Sequence, residues 1–450
     1  MIEGVTMTPR AQRMFTAPPG QQRGAVTVII VIALVAILMM AALVLDGGHM
    51  LLNKTRLQNA VDAAALSGAK TLSQVMGSGN AATTARDAAL FTLNENAKAA
   101  GNKELLTAIG GKLGTFAVVE LADNVYGPFS FPGPANATYV RVKVLNYSLA
   151  GFFWSFAQSI GTGAVGTKSV TAIATAGPSP TSPCDLAPLL VCGDPTKYNP
   201  DTGMFWGYRF GDLEVLKSAS KDSDSIGPGN FQLLDFGSGG KEVGELMAGG
   251  ASVCRNVGDN VTTKPGNTVG PAVKGLNTRF GEYAGSLNST DYPPDLVTSY
   301  SNPAMKYNDK TEKVEHQGQV VTSSNGNLSA GGTQLFDYND YAAQTAACVA
   351  GGTGCQSGGV FERRMLKIVV GDCSGKNSGT SSIPVLGFGC FYVVQPADNS
   401  GKDSQIFGQF VKQCEGDGVP GPTPQDDFGP QIIQLYKTFI TGSGTPSTDS

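Results

Sequence analysis

The residues best able to do covalent chemistry in this chain are its eight cysteines, all of which lie beyond residue 180. None of them forms a C-x-x-C pair, the spacing typical of a metal-binding or redox-active site. An even number of cysteines confined to one region is typical of a disulfide-bonded domain in an oxidising compartment, the alternative being a scatter of buried free thiols. We therefore predict disulfides, in any of about 105 pairings, among Cys184, Cys192, Cys254, Cys348, Cys355, Cys373, Cys390 and Cys414.

Two short segments approach ligand-binding motifs without completing them. Gly371–Lys376 resembles a phosphate-binding loop, but it is one residue short, and Asn377 stands where Ser or Thr would hold magnesium. A strand end followed by a disulfide-bonded turn is the favoured interpretation. Asp222–Gly227 begins like a calcium-binding loop, yet Ile226 and Leu233 occupy positions that need oxygen ligands. We expect a solvated loop there.

Histidine chemistry is restricted to His49 and His316. We expect His49 to be solvated at the edge of an apolar segment and His316 to lie on the surface. A single histidine in the C-terminal part leaves little room for a zinc centre or a His-based triad. We predict no catalytic residue, no metal site and no cofactor. A glycosidase-type carboxylate pair stays open, because carboxylates are plentiful.

The overall composition indicates an exported protein. Charged residues make up 15% of the chain, against about 25% in a typical soluble protein, and glycine is abundant at 59 residues. The formal net charge of −4 is too small to suggest nucleic acid, and we predict no such partner.

A membrane-spanning helix is the strongest local prediction. The run from Ala25 to Leu45 contains no charged residue, is bounded by Arg23 and Asp46, and is long enough to cross a hydrocarbon core of roughly 30 Å. It exceeds the apolar stretch of a signal peptide and lacks a small-x-small cleavage site, so an uncleaved anchor is favoured over a cleaved leader. Basic residues favour a cytoplasmic N-terminus only modestly; the cysteines decide the orientation, because they place the C-terminal part outside the reducing cytosol.

Beyond the anchor, the helix is expected to continue to about Leu66 and to present one packing face. That face is either an ordinary core surface or an interface with a partner helix, and it consists of Leu57, Val61, Ala64, Gly68 and Leu72. Alternation over 138–144 predicts a strand with valines inward and with Arg141 and Lys143 outward. Further strands are expected within 112–121 and 170–176, and an aromatic-rich turn or short helix within 149–160.

Three prolines in 178–183 predict a linker, because proline cannot continue a strand or helix. The predicted organisation is a cytoplasmic N-terminus (1–23), a transmembrane helix (24–45), a membrane-proximal region (46–177), the linker, a cysteine-containing exported domain (184–441) and a disordered tail (442–450). The fold class is α+β: a pilin-like helix on a small antiparallel sheet, followed by a domain of strands and loops with short helices near 242–248 and 271–279.

The membrane-proximal residues resemble a known family. The run of Arg23-Gly24, the apolar segment, Asp46-Gly47-Gly48 and the helix from Leu57 to Ala69 is similar to the TadE/TadG-like proteins of tight-adherence (Flp) pilus systems. Ile29 stands where pilins carry a glutamate, so processing by a prepilin peptidase is not expected. Asp372–Lys376 departs from the metal site of the adhesion domain that some longer relatives carry.

The resemblance implies a non-enzymatic pilus-assembly component anchored in the bacterial inner membrane, with a periplasmic C-terminal domain. Its implied partners are the membrane and other pilus-assembly proteins or pilin subunits, and its oligomeric state stays open. One alternative is a membrane-tethered adhesin or ligand-binding module. Another is an envelope carbohydrate hydrolase.

Overall fold

The computed structural model describes residues 23–75, 79–154, 167–199, 202–218, 230–237, 239–264, 269–375, 380–398, 405–415, 419–420 and 429–439, together with Thr445 and Ser447. Most of the predicted cytoplasmic segment (1–23), the calcium-like loop Asp222–Gly227 and most of the predicted tail (442–450) lie outside these residues.

The chain divides into two compact units. The first comprises Met1–Thr55 and Ser148–Val170, and the second comprises Arg56–Tyr147 and Thr171–Ser450. The described α-helices are α1 (Arg23–Gln74), α2 (Ala81–Lys98), α3 (Lys103–Ile109), α4 (Leu113–Phe116), α5 (Gly240–Gly249), α6 (Val269–Asn277) and α7 (Tyr338–Val349). Two 3₁₀ turns cover Pro195–Lys197 and Thr278–Phe280.

The described strands belong to five sheets. In chain order they are β1 (Val118–Ala122), β2 (Tyr139–Ser148), β3 (Ser169–Ser182), β4 (Asp185–Leu186), β5 (Leu189–Gly193), β6 (Met204–Phe205), β7 (Tyr208–Arg209), β8 (Leu213–Ser218), β9 (Asn230–Leu233), β10 (Ala251–Ser252), β11 (Asn260–Thr262), β12 (Lys306–Asn308), β13 (Lys313–His316), β14 (Gln319–Ser324), β15 (Asn327–Ala330), β16 (Thr333–Gln334), β17 (Met365–Asp372), β18 (Ser382–Val393), β19 (Gln405–Val411), β20 (Gln413–Glu415), β21 (Val419–Pro420) and β22 (Gly429–Tyr436).

The N-terminal part of α1, in the first unit, exposes its apolar side chains. Ile29 is 65% exposed and Val44 is 72% exposed, whereas the core helix of a soluble protein would bury such residues. Within the described part of the chain, α1 is the one helix that is long and apolar enough to cross a membrane. The long N-terminal helix and the mixed α/β region that follows it agree with the predicted fold class.

In the second unit, α1 and α2 pack close to a six-stranded sheet. Its strand order is β1-β2-β3-β22-β20, and β21 pairs with β3. The contact is tight at Gly68, because a Cβ atom there would lie 3.0 Å from the Cβ of Ala89 and 3.0 Å from a methyl group of Val140. A small residue is therefore required at this position of α1.

The predicted linker is part of a strand. β3 continues through 178–182, where Pro178 pairs with Ile433 and Pro180 with Gln431 of β22, so the expectation that these prolines end the strand is wrong. Gly177 lies against the ring of Tyr139, the first residue of β2. Pro178 and Pro180 come after Gly177 in β3. Proline has no backbone N–H group, so a strand tolerates it at positions where no neighbouring strand needs that donor.

Three further expectations are corrected within this unit. Arg141 of β2 was expected to point outward but is buried. Its charge is neutralised by Glu120 on the neighbouring strand β1, which also pairs with Lys143. Part of the strand expected over 112–121 is helical, since α4 precedes β1. His316, expected at the surface, is buried at the end of β13 between two neighbouring strands.

The cysteine-containing region centres on a sheet with the order β11-β18-β17-β5-β9-β8-β19, which closes on itself because β18 also pairs with β19. One buried cluster is shared by these strands and by the helices α5 and α6, which cover the segments where short helices were expected. β12 to β16 form a separate five-stranded sheet. The helix α7 was not predicted; the Asp337 side chain caps it by accepting from the backbone N–H groups of Asn339 and Asp340.

All eight cysteines are paired in the structure. The four disulfides are Cys184–Cys254, Cys192–Cys373, Cys348–Cys355 and Cys390–Cys414. Cys373 directly follows the end of β17, as expected for a strand end and a disulfide-bonded turn. Cys390–Cys414 joins β18 of the closed sheet to β20 of the six-stranded sheet.

Candidate functional site

A buried ion pair in the first unit is the most concentrated polar feature next to the apolar segment. Asp46 is on α1, one residue beyond the apolar run, and Lys168 immediately precedes β3. The Lys168 Nζ lies 3.0 Å from Asp46 Oδ1, and the two side chains are 1% and 6% exposed. Burying two charges is expensive unless both are fully hydrogen-bonded, so the remaining partners decide whether this pair is stable.

Every donor of the ammonium group has an acceptor. Lys168 Nζ donates to Asp46 Oδ1, to the backbone oxygen of Ala150 at 3.0 Å, and to His49 Nδ1 at 2.9 Å. Asp46 also accepts from two backbone N–H groups, those of Phe152 at 2.9 Å and Phe153 at 2.8 Å. The pair is thus neutral as a whole and saturated with hydrogen bonds.

These contacts set the protonation state of Asp46. Burial by itself raises the pKa of a carboxyl group, whereas the two backbone donors and Lys168 lower it, and the net result is a pKa lowered from 3.8 to about 2. Asp46 is therefore ionised throughout the physiological range. Its chemical role is to hold the chain around Phe152 against α1.

His49 and Asn53 extend the same polar face of α1. They lie three and seven residues after Asp46, spacings that place all three on one side of a helix. The Asn53 side-chain nitrogen donates to the backbone oxygen of His49 at 3.1 Å, and the same amide lies 3.0 Å from His49 Nε2. The Phe152 ring packs edge-on against the imidazole, with centroids 5.4 Å apart. His49 is thus a structural member of the cluster, and not the solvated residue expected from its position.

The predicted packing face is buried inside the chain. Leu57, Val61 and Ala64 have no exposed surface, Leu72 is 3% exposed and Gly68 is buried as well. A role for these residues toward a partner protein stays a prediction. The polar cluster belongs to the first unit and this face to the second.

The described part of the chain contains no group of three or more His, Cys, Asp or Glu side chains that could hold a metal ion. In the second unit, a cavity of about 650 Å³ is lined by Phe210, Tyr338, Asn339, Ala343, Glu362 and Lys412, among others. Burial raises the pKa of Glu362 to about 7, although its carboxylate accepts a hydrogen bond from the backbone N–H of Glu415. The cavity is large enough for a small organic ligand.

Two arginines that line a separate pocket with Glu362, the buried Arg279 and the half-buried Arg363, have a structural explanation. Arg279 donates to the backbone oxygen of Met247 at 2.7 Å, and Arg363 donates to that of Ala248 at 2.7 Å. Both acceptors are among the last carbonyl groups of α5, which have no partner within the helix. The arginines therefore cap the C-terminus of α5, where positive charge is favourable.

Comparison with known proteins identifies the segment that carries this polar face. Residues 24–71 match the family model described as putative Flp pilus-assembly TadE/G-like. The resemblance expected from the sequence is confirmed over this TadE/G-like segment. Neither the curated proteins nor the solved structures give a significant match.

The TadE/G-like segment supplies one half of the cluster, namely Asp46, His49 and Asn53. The other half, Lys168 and the backbone N–H groups of Phe152 and Phe153, lies outside the match. Sequence reasoning singled out the aromatic residues near 152 but missed Lys168. A lone lysine 122 residues away from Asp46 carries no local signal.

Proposed function

We propose that this protein is a non-enzymatic, membrane-anchored component of Flp (tight-adherence) pilus assembly in the bacterial envelope. The observation that carries the proposal is the match of residues 24–71 to the TadE/G-like family model. The exposed apolar part of α1 and the four disulfides support an envelope location.

The proposed topology is a single pass through the inner membrane. The N-terminus is cytoplasmic, and everything after Asp46 is periplasmic. The disulfides support this orientation, because such bonds form and persist outside the reducing cytosol. A fusion after Gly177 would interrupt β3 where Gly177 pairs with Gln434. Topology reporters are therefore best fused after Ser450: a periplasm-active reporter should be active and a cytosolic one silent.

The proposed role is mechanical rather than chemical. The partners are other pilus-assembly proteins or pilin subunits, in keeping with the description of the family. The polar cluster at Asp46 supports such a role, because its groups bond one another and leave the ammonium without a proton to donate elsewhere.

The decisive experiment is genetic complementation. Deleting the gene should abolish surface pili, and the complete chain should restore them. A chain in which residues 24–45 are replaced by an unrelated transmembrane helix of equal length should reach the membrane but restore fewer pili. Normal piliation in the deletion strain, with the neighbouring genes still expressed, would refute the proposal.

The cavity beside Glu362 favours a second candidate, a membrane-tethered ligand-binding module. Ala343 is an exposed residue of α7 on the cavity wall, so Ala343→Trp would fill the cavity without disturbing the core. Loss of surface attachment with normal pili would favour this candidate, whereas unchanged attachment would exclude it. A carbohydrate hydrolase would further require that Glu362→Gln abolish polysaccharide cleavage.

A further inference from the structure

The loop beside the Asp46–Lys168 pair presents aromatic side chains that are only partly covered. Phe152 gives its backbone N–H group to Asp46, while its ring is 63% exposed. Trp154 follows two residues later and is half-buried. The turn from Gly151 to Trp154 is tight, because a Cβ atom on Gly151 would lie 2.5 Å from the Cβ of Trp154.

The apolar surface of α1 does not end at Asp46. Leu51 is 67% exposed and Leu52 is 49% exposed. They lie seven residues after Val44 and Leu45, which are 72% and 53% exposed, and a spacing of seven returns to nearly the same face of a helix. An exposed apolar stripe therefore continues for roughly 9 Å beyond Asp46, slightly more than the roughly 5–7 Å that the headgroup region occupies on each side of a bilayer.

The buried charges are compatible with this depth. Ionisable groups near a membrane are tolerated when they pair with each other and with backbone groups. Asp46 and Lys168 do both, and the centroid of the exposed Phe152 ring lies 5.8 Å from the Lys168 ammonium nitrogen. The loop thus exposes apolar surface at Phe152, while the neighbouring charges of Asp46 and Lys168 are buried.

We propose that Ala150–Trp154, together with Leu51 and Leu52, forms a second membrane contact that lies in the phospholipid headgroup region. The occupant is the surface of the same bilayer that α1 crosses, so the inference rests on the proposed anchor. Tryptophan is favoured at this depth because its ring is largely apolar and carries one polar N–H group, and the exposed ring of Phe152 adds apolar surface beside it. The contact fixes the depth at which α1 leaves the membrane.

The two tryptophans of the chain, Trp154 and Trp206, allow a matched test. Trp206 packs on Tyr198 and Phe205 in the second unit, and so serves as the internal control. The full chain would be reconstituted into phosphatidylcholine vesicles with or without brominated acyl chains. With Trp206→Phe, leaving Trp154, we expect brominated lipid to quench emission at least twofold and aqueous acrylamide to quench it weakly. With Trp154→Phe, leaving Trp206, we expect no quenching by brominated lipid.

The outcomes separate this inference from the anchor on which it rests. If the chain does not float with the vesicles, the membrane anchor itself is wrong. If it floats but Trp154 is quenched by acrylamide and not by brominated lipid, the loop faces water and the inference is overturned. A third variant, Phe152→Trp in the Trp154→Phe, Trp206→Phe background, repeats the measurement at the exposed ring. Each variant is accepted only if it has no free thiol when denatured without reductant.

Discussion

At the residue scale, the Asp46–Lys168 pair should behave as one unit. Removing one partner leaves the other buried without a counter-charge, which costs about 3–5 kcal/mol. We therefore expect Asp46→Asn and Lys168→Gln each to destabilise the protein strongly, and the double variant to lose clearly less than the sum. The measurement is the free energy of unfolding of purified protein in detergent micelles, arranged as a double-mutant cycle.

An exposed pair provides the control. Lys98 and Glu95 are also ion-paired, at 2.6 Å, but their side chains are 52% and 45% exposed, so Glu95→Gln should change stability by about 1 kcal/mol or less. Because the pKa of Asp46 is lowered, the stability that it provides is present above its unfolded value of 3.8 and is lost as the pH falls toward 2. Strictly additive effects in the cycle would show that the two charges are not coupled.

Glu362 should make stability depend on pH in the opposite sense. Burial raises the pKa of this carboxyl to about 7, so the folded protein holds a proton that the unfolded chain releases. Its contribution is complete below pH 4.5 and is lost as the pH rises to about 7. Glu362→Gln should remove on the order of 3 kcal/mol from the stability difference between pH 5 and pH 8. An unchanged pH profile of the unfolding free energy would mean that Glu362 titrates normally.

At the scale of elements, the buried face of α1 should tolerate no charge. Ala64 has no exposed surface, so Ala64→Asp would bury an unpaired carboxylate at a cost of several kcal/mol. Asn59 is exposed on the same helix, and Asn59→Asp adds the same charge in water. We expect the first variant to lose piliation together with protein abundance and the second to retain both. Normal abundance of Ala64→Asp would show that this face is not packed as described.

The elements also show what local sequence patterns can and cannot predict. The long apolar helix follows from an uninterrupted apolar run and its continuation from hydrophobic periodicity, and both are properties of neighbouring residues. The burial of Arg141 depends on Glu120 in another strand, and the strand through Pro178 depends on β22, more than 250 residues later. Lys168 joins Asp46 for the same kind of reason. Such pairings are set by the tertiary fold, and the periodicity of neighbouring residues cannot predict them.

At the scale of the whole molecule, the second unit is held together by connections between distant parts of the chain. The six-stranded sheet takes β1 to β3 from before residue 183 and β20 to β22 from beyond residue 412. The Cys390–Cys414 disulfide then joins this sheet to the closed one. A domain boundary at 178–183 therefore stays a prediction about the order of domains along the chain. The six-stranded sheet contains strands from before and after that boundary.

The contribution of each disulfide to stability should rise with the logarithm of the length of chain that it closes. Cys192 and Cys373 are 181 residues apart, whereas Cys348 and Cys355 are 7 apart. A chain-entropy model gives at most about 5 kcal/mol for the longer loop and about 2 kcal/mol for the shorter one. We expect Cys192→Ala with Cys373→Ala to lower the unfolding free energy of the oxidised protein more than Cys348→Ala with Cys355→Ala does.

Thiol counting links this prediction to the compartment in which the protein folds. Denatured but unreduced protein isolated from the envelope should have no free thiol, because all eight cysteines are paired. The same chain produced in a reducing cytosol should have free thiols and be degraded faster, because it lacks the cross-links that restrict its unfolded state. Equal stability of the oxidised and reduced chains would remove the main physical reason for exporting this domain. Six or more free thiols in envelope-derived protein would contradict both the pairing and the proposed topology.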